Sequence, residues 1–248
     1  MIPKVIHYCW FGGNELPPLA KKCIASWRKF LPDFELKLWN EDNFDVNIIP
    51  YVSEAYQARK FAFVSDYARF WILYNYGGYY FDTDVEVIKA LDEIISRGAF
   101  MAAENIPDDK HRLNVAPGLG LSCEKGDVVM KALLDYYEPL HFSLENGAPV
   151  TVVEHTTNVL RGFGLKDVNE IQQVEGITIY PKNYFNPVDQ EGHILELKPE
   201  TLTIHHYAAS WAPSKVRLKR KVSRVVGPTL SKLIINLKKK LKQRGGKG

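Results

Sequence analysis

The sequence predicts an α/β fold in which helices cover a parallel sheet. Two observations predict it: a strand, a helix and a second strand follow one another within residues 5–39, and an amphipathic helix at residues 61–76 leads directly into a further strand. Strands that alternate with helices form βαβ units, whose strands run parallel. The 248 residues suffice for one such domain with a full core.

The first three elements are clearly marked. Residues 5–10 are mostly apolar and predict a buried strand, which a turn at Gly12-Gly13 ends. Residues 17–30 have a helical composition, and residues 35–39 alternate like a second strand. This order predicts a βαβ unit at the start of the chain.

The segment 61–76 is the clearest helix in the sequence. Its aromatic residues recur at spacings of four, three and four, which is one face of an α-helix: Phe63, Tyr67, Phe70 and Tyr74. Gly77-Gly78 ends the helix, and residues 79–81 form a short strand that leads to Asp82. Later elements are fainter: a helix at 127–137 and strands near 99–104, 171–174, 178–180 and 201–205.

Two carboxylates follow this short strand. Asp82 and Asp84 flank Thr83, and in an extended backbone residues i and i+2 point to one face. Carboxylates held this close repel each other unless a cation lies between them. Their oxygen atoms suit Mg²⁺ or Mn²⁺, and such a metal can hold a diphosphate as it leaves. The alternative is two solvated acids at a strand end.

A second alternative is a phosphatase. The segment 81–85 resembles the nucleophile motif of haloacid-dehalogenase-type phosphatases, in which Asp82 would attack the phosphate. In those enzymes the motif follows the first strand, whereas here at least two strands and a long helix come first.

Three segments resemble the DXD-containing glycosyltransferases of family 32. Residues 65–69 (Ser-Asp-Tyr-Ala-Arg) and 73–84, which end in Asp-Thr-Asp, resemble the family's sugar-binding region. Residues 2–13 resemble its opening strand and residues 203–211 its closing motif, in the family's order. The family includes yeast mannosyltransferases and bacterial capsule and lipopolysaccharide enzymes, and the sequence is similar also to the glucosyltransferase domains of large clostridial toxins.

The resemblance implies a GT-A fold, which is a single Rossmann-like α/β/α domain for nucleotide-diphospho-sugars. It also implies a metal-dependent hexosyltransferase that retains the configuration of the transferred sugar. A UDP-sugar is the favoured donor because the N-terminal segment looks like that of UDP-glucose-using toxins. GDP-mannose is the alternative, since the family includes mannosyltransferases. The acceptor is expected to be a glycan or a lipid-linked glycan of a bacterial surface polysaccharide.

The resemblance also implies a metal centre. Asp84 would bind the metal directly, and Asp82 would contact the metal, the ribose or the donor sugar. A third ligand would come from the closing motif, where His205 and His206 lie on opposite faces of one strand. His206 is preferred, because similar motifs place an aromatic residue directly after the metal-binding histidine.

Donor binding would involve Asp66 and Arg69, which share a helix face because they are three residues apart. In the resembling enzymes this pair holds donor-sugar hydroxyls and a phosphate. The alternative is an ordinary surface ion pair. No carboxylate beyond the metal pair stands out as a nucleophile or a general base.

Further donor contacts are predicted from both ends of the chain. Trp10 would stack on the base, with the backbone near Tyr8 or Cys9 contacting its edge. Ser210 and Trp211 would close over the diphosphate. Asn114 would touch the donor sugar.

The charge distribution divides the chain. All 29 acidic residues lie at or before Glu200, whereas 13 of the 32 lysines and arginines lie from Lys215 onward. The sequence therefore predicts a catalytic domain at 1–214, with a net charge of −10, and a basic amphipathic helical tail at 215–248, with +13.

The tail has the pattern of a membrane-surface helix, with an apolar stripe formed by Leu230, Leu233, Ile234, Leu237 and Leu241. We expect it to bind the anionic inner leaflet, which makes the protein cytoplasmic and peripherally attached. An acidic body argues against a nucleic-acid partner. A non-catalytic membrane-surface protein is the remaining alternative class.

Other features of the sequence fit a cytoplasmic location. The three cysteines lack the spacing of a zinc site or a disulfide framework, which favours a reducing compartment. No signal peptide and no membrane-spanning apolar stretch is expected.

Overall fold

The structure is a computed structural model that describes residues 1–144, 149–188 and 196–208. Met1–Pro187 and Leu197–His206 form one compact unit, which contains the elements named below. A second unit comprises Val188–Glu196 and Tyr207–Gly248, most of which lies outside the described residues. The predicted division at residues 214 and 215 also lies outside them and stays a prediction.

The first unit contains nine strands and seven helices among its described residues. The strands are β1 (Val5–Cys9), β2 (Glu35–Trp39), β3 (Gly78–Tyr80), β4 (Val85–Val87), β5 (Phe100–Ala102), β6 (Leu121–Cys123), β7 (Gln172–Val174), β8 (Ile177–Tyr180) and β9 (Thr203–His205). The helices are α1 (Pro18–Phe30), α2 (Pro50–Gln57), α3 (Phe61–Tyr76), α4 (Asp92–Ser96), α5 (Val128–Tyr137), α6 (Val152–Gly162) and α7 (Lys182–Phe185).

The main sheet has seven strands in the order β2-β1-β3-β6-β5-β8-β7. Strand β1 pairs in parallel with both β2 and β3, as the βαβ pattern predicted. The expectation of a wholly parallel sheet is nevertheless wrong, because β6 is antiparallel to β3 and β5, and β7 is antiparallel to β8, although β5 and β8 are parallel. The sheet is therefore mixed.

The carboxyl ends of five strands lie along one edge of this sheet. Strands β3 and β5 are both antiparallel to β6, so they run in the same direction, and β1, β2 and β8 share that direction. The side chains that follow β1, β2, β3, β5 and β8 therefore lie along one edge. In open α/β sheets this edge is where ligands bind.

Apolar clusters cover both faces of the sheet. One includes Val52 of α2, Phe70 of α3 and Leu133 of α5, and the other includes Trp27 of α1 and Ile94 of α4. Strand β1 alternates between them, since Cys9 belongs to the first cluster while Ile6 and Tyr8 belong to the second. Helices on both faces of a central sheet confirm the predicted α/β/α arrangement.

Helix α3 has the bounds that its aromatic periodicity predicted. The buried surface extends beyond the aromatic stripe, because Val64, Asp66, Ala68, Arg69 and Ile72 are buried too. Gly77 and Gly78 then adopt φ values of 66° and 108°, which favour glycine. A Cβ at Gly78 would lie 2.8 Å from the carbonyl oxygen of Val5, so this turn brings β3 directly against β1.

A second, small sheet lies beside the main one. Strands β4 and β9 are antiparallel, with Val85 opposite His205 and Val87 opposite Thr203. Helix α1 holds β4, since Trp27 Nε1 donates to the carbonyl oxygen of Val85 at 2.8 Å. This pairing places the closing strand beside Asp84.

No helix among the described residues combines the length and the apolar character needed to cross a bilayer.

Candidate metal and nucleotide-sugar site

The turn after β3 gathers a set of metal-ligand atoms. One ligand atom each of Asp82, Asp84 and His205 lies within 4.8 Å of the other two. His205 Nε2 is 3.0 Å from Asp84 Oδ1. Two carboxylate oxygens and one imidazole nitrogen suit a divalent cation such as Mn²⁺. The residues present therefore fit the metal that the sequence predicted.

The structure brings His205, and not the preferred His206, next to the two aspartates. His205 lies with the two aspartates, whereas His206 Nε2 lies 2.8 Å from Glu86 Oε2. His206 Nε2 therefore contacts Glu86 and is not among the three ligand atoms that lie within 4.8 Å of one another. Burial acts to lower the pKa of His205, but the negative charges of Asp84, Asp82 and Glu104 together outweigh it, so the pKa is raised.

Asp82 is oriented by two donors. The Tyr80 hydroxyl donates to Asp82 Oδ1 at 3.0 Å, and an Arg69 terminal nitrogen lies 3.3 Å from the same oxygen. Tyr80 is fully buried, and burial raises its pKa well above 10, so its hydroxyl stays protonated as a donor. Sequence reasoning missed Tyr80 as a site residue, although its i−2 spacing from Asp82 on an extended segment was a usable signal.

Asp66 and Arg69 form a buried ion pair, with 2.8 Å between Arg69 Nη2 and Asp66 Oδ1. Their side chains are 10% and 3% exposed, so the alternative of a surface ion pair is wrong. Burial raises the pKa of Asp66 to about 7, and the positive charge of Arg69 opposes that shift. Burial acts to lower the pKa of Arg69, but Asp82, Tyr80 and Asp66 raise it above its ordinary value.

Arg69 retains a donor for a ligand. Its Nε donates to the carbonyl oxygen of Ser65 and its Nη2 contacts the carboxylates, whereas Nη1 is buried with no hydrogen-bond partner among the described residues. An unused buried donor beside the metal ligands is a position where a phosphate oxygen would be bound well.

Gly118 closes the other side of Asp82. Its carbonyl oxygen accepts from the Asp82 backbone N–H at 3.1 Å. A Cβ at this position would overlap Asp82 Oδ2 and would lie 3.2 Å from Arg69 Nη1. Sequence reasoning missed Gly118, because a glycine in the sequence does not show which side chain approaches it.

A carboxylate was also missed at the next strand end. Glu104 follows β5 as Asp82 follows β3, at the same edge of the sheet. Burial raises its pKa, while His205 and Lys182 act in the opposite direction, which places its charge near the metal-ligand cluster. The position of Glu104 two residues after a strand could have indicated it as a site residue. The direction of that strand, however, was not known from the sequence.

A cleft of about 590 Å³ lies where β1 and β2 end. It is lined by Gly12, Gly13, Asn40, Glu41, Asp42, Tyr56, Gln57, Arg59 and Phe61. Phe61 begins α3, and Asp66 follows five residues later, a rise of about 7.5 Å along the helix axis. Helix α3 therefore contributes residues both to the cleft and to the surroundings of the metal-ligand cluster.

The predicted base-binding residues precede Gly12 and Gly13, the first residues in the sequence that line this cleft. Trp10 is half-buried, and its Nε1 donates to the carbonyl oxygen of Asn14 at 2.7 Å. The Tyr8 side chain is buried against Trp27, which leaves only its backbone for the predicted role. The contacts of both residues with a base stay predictions.

No interaction among the described residues places the other predicted donor-binding residues at the metal-ligand cluster. Asn114 is exposed and hydrogen-bonded through its backbone to Glu104 and Asn105. Ser210 and Trp211 lie outside the described residues. The roles of all three stay predictions.

Comparison with known proteins identifies the class. Residues 17–101 match the family model described as "Glycosyltransferase sugar-binding region containing DXD motif". This region is thus similar to that family, as the predicted resemblance to DXD-containing glycosyltransferases requires. The prediction of an enzyme of the transferase class is supported by the same match and by the relatives.

Two curated relatives cover different parts of the chain. "Inositol phosphoceramide mannosyltransferase 1" of Schizosaccharomyces pombe is 31% identical over 117 residues, which are 43% of this chain and 35% of the relative. The chain thus spans about a third of that relative's length. An uncharacterized glycosyltransferase of Acanthamoeba polyphaga mimivirus is 26% identical over 228 residues, or 86% of this chain and 85% of the relative.

A solved structure shows the fold. The "PaToxG Glycosyltransferase" superposes with a TM-score of 0.50 at 17% identity, covering 65% of this chain and 69% of that chain. At this identity the similarity shows the fold alone, and it confirms the predicted GT-A type.

Proposed function

We propose that the protein is a metal-dependent, retaining glycosyltransferase that moves a hexosyl group from a nucleotide-sugar to a glycan or lipid-linked glycan. The observation that carries the proposal is the cluster of Asp82, Asp84 and His205 beside the buried Arg69. A cation ligand set and an arginine donor at one point are what a departing diphosphate requires. Surface polysaccharide synthesis in bacteria is the proposed context.

The chain's residues divide the work of diphosphate departure. Asp82, Asp84 and His205 would hold a divalent cation, which neutralises charge on the diphosphate. The buried Nη1 of Arg69 would donate to a phosphate oxygen, and Arg69 keeps its charge because three neighbouring groups raise its pKa. Asp66 holds the guanidinium in place at 2.8 Å. The acceptor would attack the anomeric carbon from the face that the diphosphate leaves.

The cleft after β1 and β2 is the proposed place of the nucleoside. It lies at the same sheet edge as the metal-ligand cluster, and Trp10 precedes its first lining residues. The donor is proposed to be a UDP-sugar, on the resemblance of residues 2–13 alone. GDP-mannose is the second candidate, and the mannosyltransferase name of the Schizosaccharomyces pombe relative favours it.

The tail is proposed to attach the protein to the inner face of the plasma membrane. The support is its sequence alone, with 13 basic and no acidic residues from Lys215 onward.

The activity test is a titration of purified full-length protein with a panel of UDP- and GDP-sugars, with and without Mn²⁺. Binding and slow hydrolysis are followed for the wild type and for Asp84→Ala. We expect Mn²⁺-dependent binding of one nucleotide-sugar and its loss in the variant, because Asp84 supplies a ligand atom. A Glu93→Gln variant, which alters an exposed carboxylate paired with Arg97, is the matched control.

Two results would contradict the proposal. Absence of binding to every nucleotide-sugar by folded, metal-loaded protein would count against the donor class. Release of phosphate from phosphoesters, lost in an Asp82→Asn variant, would favour the phosphatase alternative.

A further inference from the structure

His205 reaches the metal-ligand cluster from a strand with little support of its own. Strand β9 is three residues long and pairs with β4, which is equally short. A two-stranded sheet of this size is at most marginally stable by itself. The position of His205 therefore depends on side-chain contacts that fix β9 against β4.

Strand β4 is anchored firmly from the opposite side. Trp27 Nε1 donates to the Val85 carbonyl oxygen at 2.8 Å, and the Val87 N–H donates to Ser26 Oγ at 2.9 Å. Val85 and Val87 are buried. The first residue of β9 is tied as well, since Thr203 Oγ1 donates to the Phe185 carbonyl oxygen at 2.9 Å.

The far end of β9 is held by a chain of three charged or polar groups. Lys22 Nζ of α1 and His206 Nε2 each lie 2.8 Å from Glu86 Oε2 of β4. The backbone N–H of His206 donates to the Asp84 carbonyl oxygen at 2.9 Å. Glu86 therefore holds His206, the residue after His205, against strand β4.

Glu86 suits this task because a single carboxylate oxygen contacts both neighbours, with Lys22 Nζ and His206 Nε2 each 2.8 Å from Oε2. Its side chain is 18% exposed, so the charge-assisted bond to His206 is partly shielded from water.

We propose that Glu86 is a positioning residue for the metal centre, acting through His206 to hold His205 Nε2 at Asp84. The inference rests on the proposed metal-dependent function and adds a residue that is not among the three ligands. It also explains why the two adjacent histidines have different roles, since His206 binds Glu86 whereas His205 lies in the metal-ligand cluster. Groups that orient metal ligands typically change metal affinity 10–100-fold when removed.

The test measures Mn²⁺ affinity directly, with free Mn²⁺ followed by electron paramagnetic resonance during titration of full-length protein. We expect Glu86→Gln to weaken Mn²⁺ binding roughly 10-fold or more. His206→Gln should have a similar effect, and the double variant should be no weaker than either single variant, because both break one contact. Glu93→Gln should bind Mn²⁺ like the wild type.

Each outcome decides something. If the wild type binds Mn²⁺ and Glu86→Gln binds it equally well, the inference is wrong while the proposed function stands. If His206→Gln abolishes binding and Glu86→Gln does not weaken it, His206 is itself a ligand and the inference is again wrong. If the wild type binds no Mn²⁺, the proposed metal dependence fails and the inference fails with it. Circular dichroism of each variant separates these results from unfolding, and His206→Gln replaces Glu86→Gln if the latter does not fold.

Discussion

At the scale of single residues, the site depends on one position that has no side chain. The Asp82 carboxylate is closely surrounded. Arg69 and Tyr80 contact its Oδ1, and Gly118 packs against its Oδ2. Only a residue without a Cβ leaves room for that carboxylate. Gly118 is required here for its small size, since a Cβ would be 2.8 Å from Asp82 Cγ.

We expect Gly118→Ala to weaken Mn²⁺ binding by about 10-fold or more, because the new methyl group displaces the Asp82 carboxylate from its ligand position. The matched control is Gly162→Ala at the end of α6, where nothing lies within 4 Å of the added Cβ. That control should leave Mn²⁺ affinity unchanged and stabilise the helix slightly. Titration of both variants with Mn²⁺ checks the prediction, and equal affinities in the two would show that Gly118 does not constrain Asp82.

At the scale of elements, His7 joins three segments beneath the site. Its Nδ1 accepts from Trp39 Nε1 at 3.0 Å, and its Nε2 lies 3.0 Å from the Gly77 carbonyl oxygen, to which it donates. These contacts tie β1 to β2 and to the turn between α3 and β3. Burial lowers the pKa of His7 from 6.5 to about 4, with Lys37 acting in the same direction and the Gly77 bond against it.

This pKa gives a pH dependence with a definite sign. Because the folded-state pKa lies below the unfolded one, the unfolded chain binds more protons between pH 6.5 and 4. The stability that neutral His7 provides is thus complete above about pH 6.5 and is lost as the pH falls toward 4. A shift of this size corresponds to about 3 kcal/mol of unfolding free energy.

The measurement compares urea unfolding of the wild type and His7→Gln at several pH values. The variant is expected to be less stable at neutral pH, and the difference should shrink by about 3 kcal/mol as the pH falls to 4. Taking the difference removes the contributions of groups that titrate in both proteins, such as Asp66. Two parallel stability curves would mean that His7 is not held neutral in the fold.

The elements also show what the sequence could and could not predict. Periodicity predicted α3, and the Gly77-Gly78 turn after it, because a long buried helix leaves a strong pattern. It missed α6, whose buried face includes His155, Thr156 and Thr157, polar residues that a hydrophobic pattern does not register. It missed α2 as well, although Pro50 at its first turn was an available start signal.

At the scale of the whole molecule, the site is assembled from segments far apart in the chain. Asp82 and Asp84 were predictable because they are two residues apart on an extended segment. The choice of His205 over His206 was not, because it depends on the pairing register of β9 with β4 and on the position of Glu86. Gly118 and Glu104 depend on strand directions around the antiparallel β6, which no local pattern specifies.

The charge is distributed unequally along the chain. The segment 1–214 carries a net charge of −10 and the segment 215–248 carries +13. An anionic surface attracts the tail and repels the rest, so the protein should approach a membrane by its tail. This attraction is screened by salt, because the Debye length falls to about 8 Å at physiological ionic strength.

The distribution of charge, not its total, is therefore the quantity to test. Reversing Lys238, Lys239 and Lys242 to Glu should weaken binding of the full-length protein to phosphatidylglycerol-containing vesicles roughly 100-fold or more, since each basic residue near the surface contributes about 1 kcal/mol. Reversing the exposed Lys110, Lys125 and Lys166 changes the net charge equally and should have a much smaller effect. Co-sedimentation at low and high salt measures both, and wild-type binding should fall with salt. Equal losses of binding in the two variants would show that net charge alone governs binding. If the wild type does not bind the vesicles, the proposed membrane attachment is wrong. That result would leave the metal-ligand cluster of the first unit unaffected.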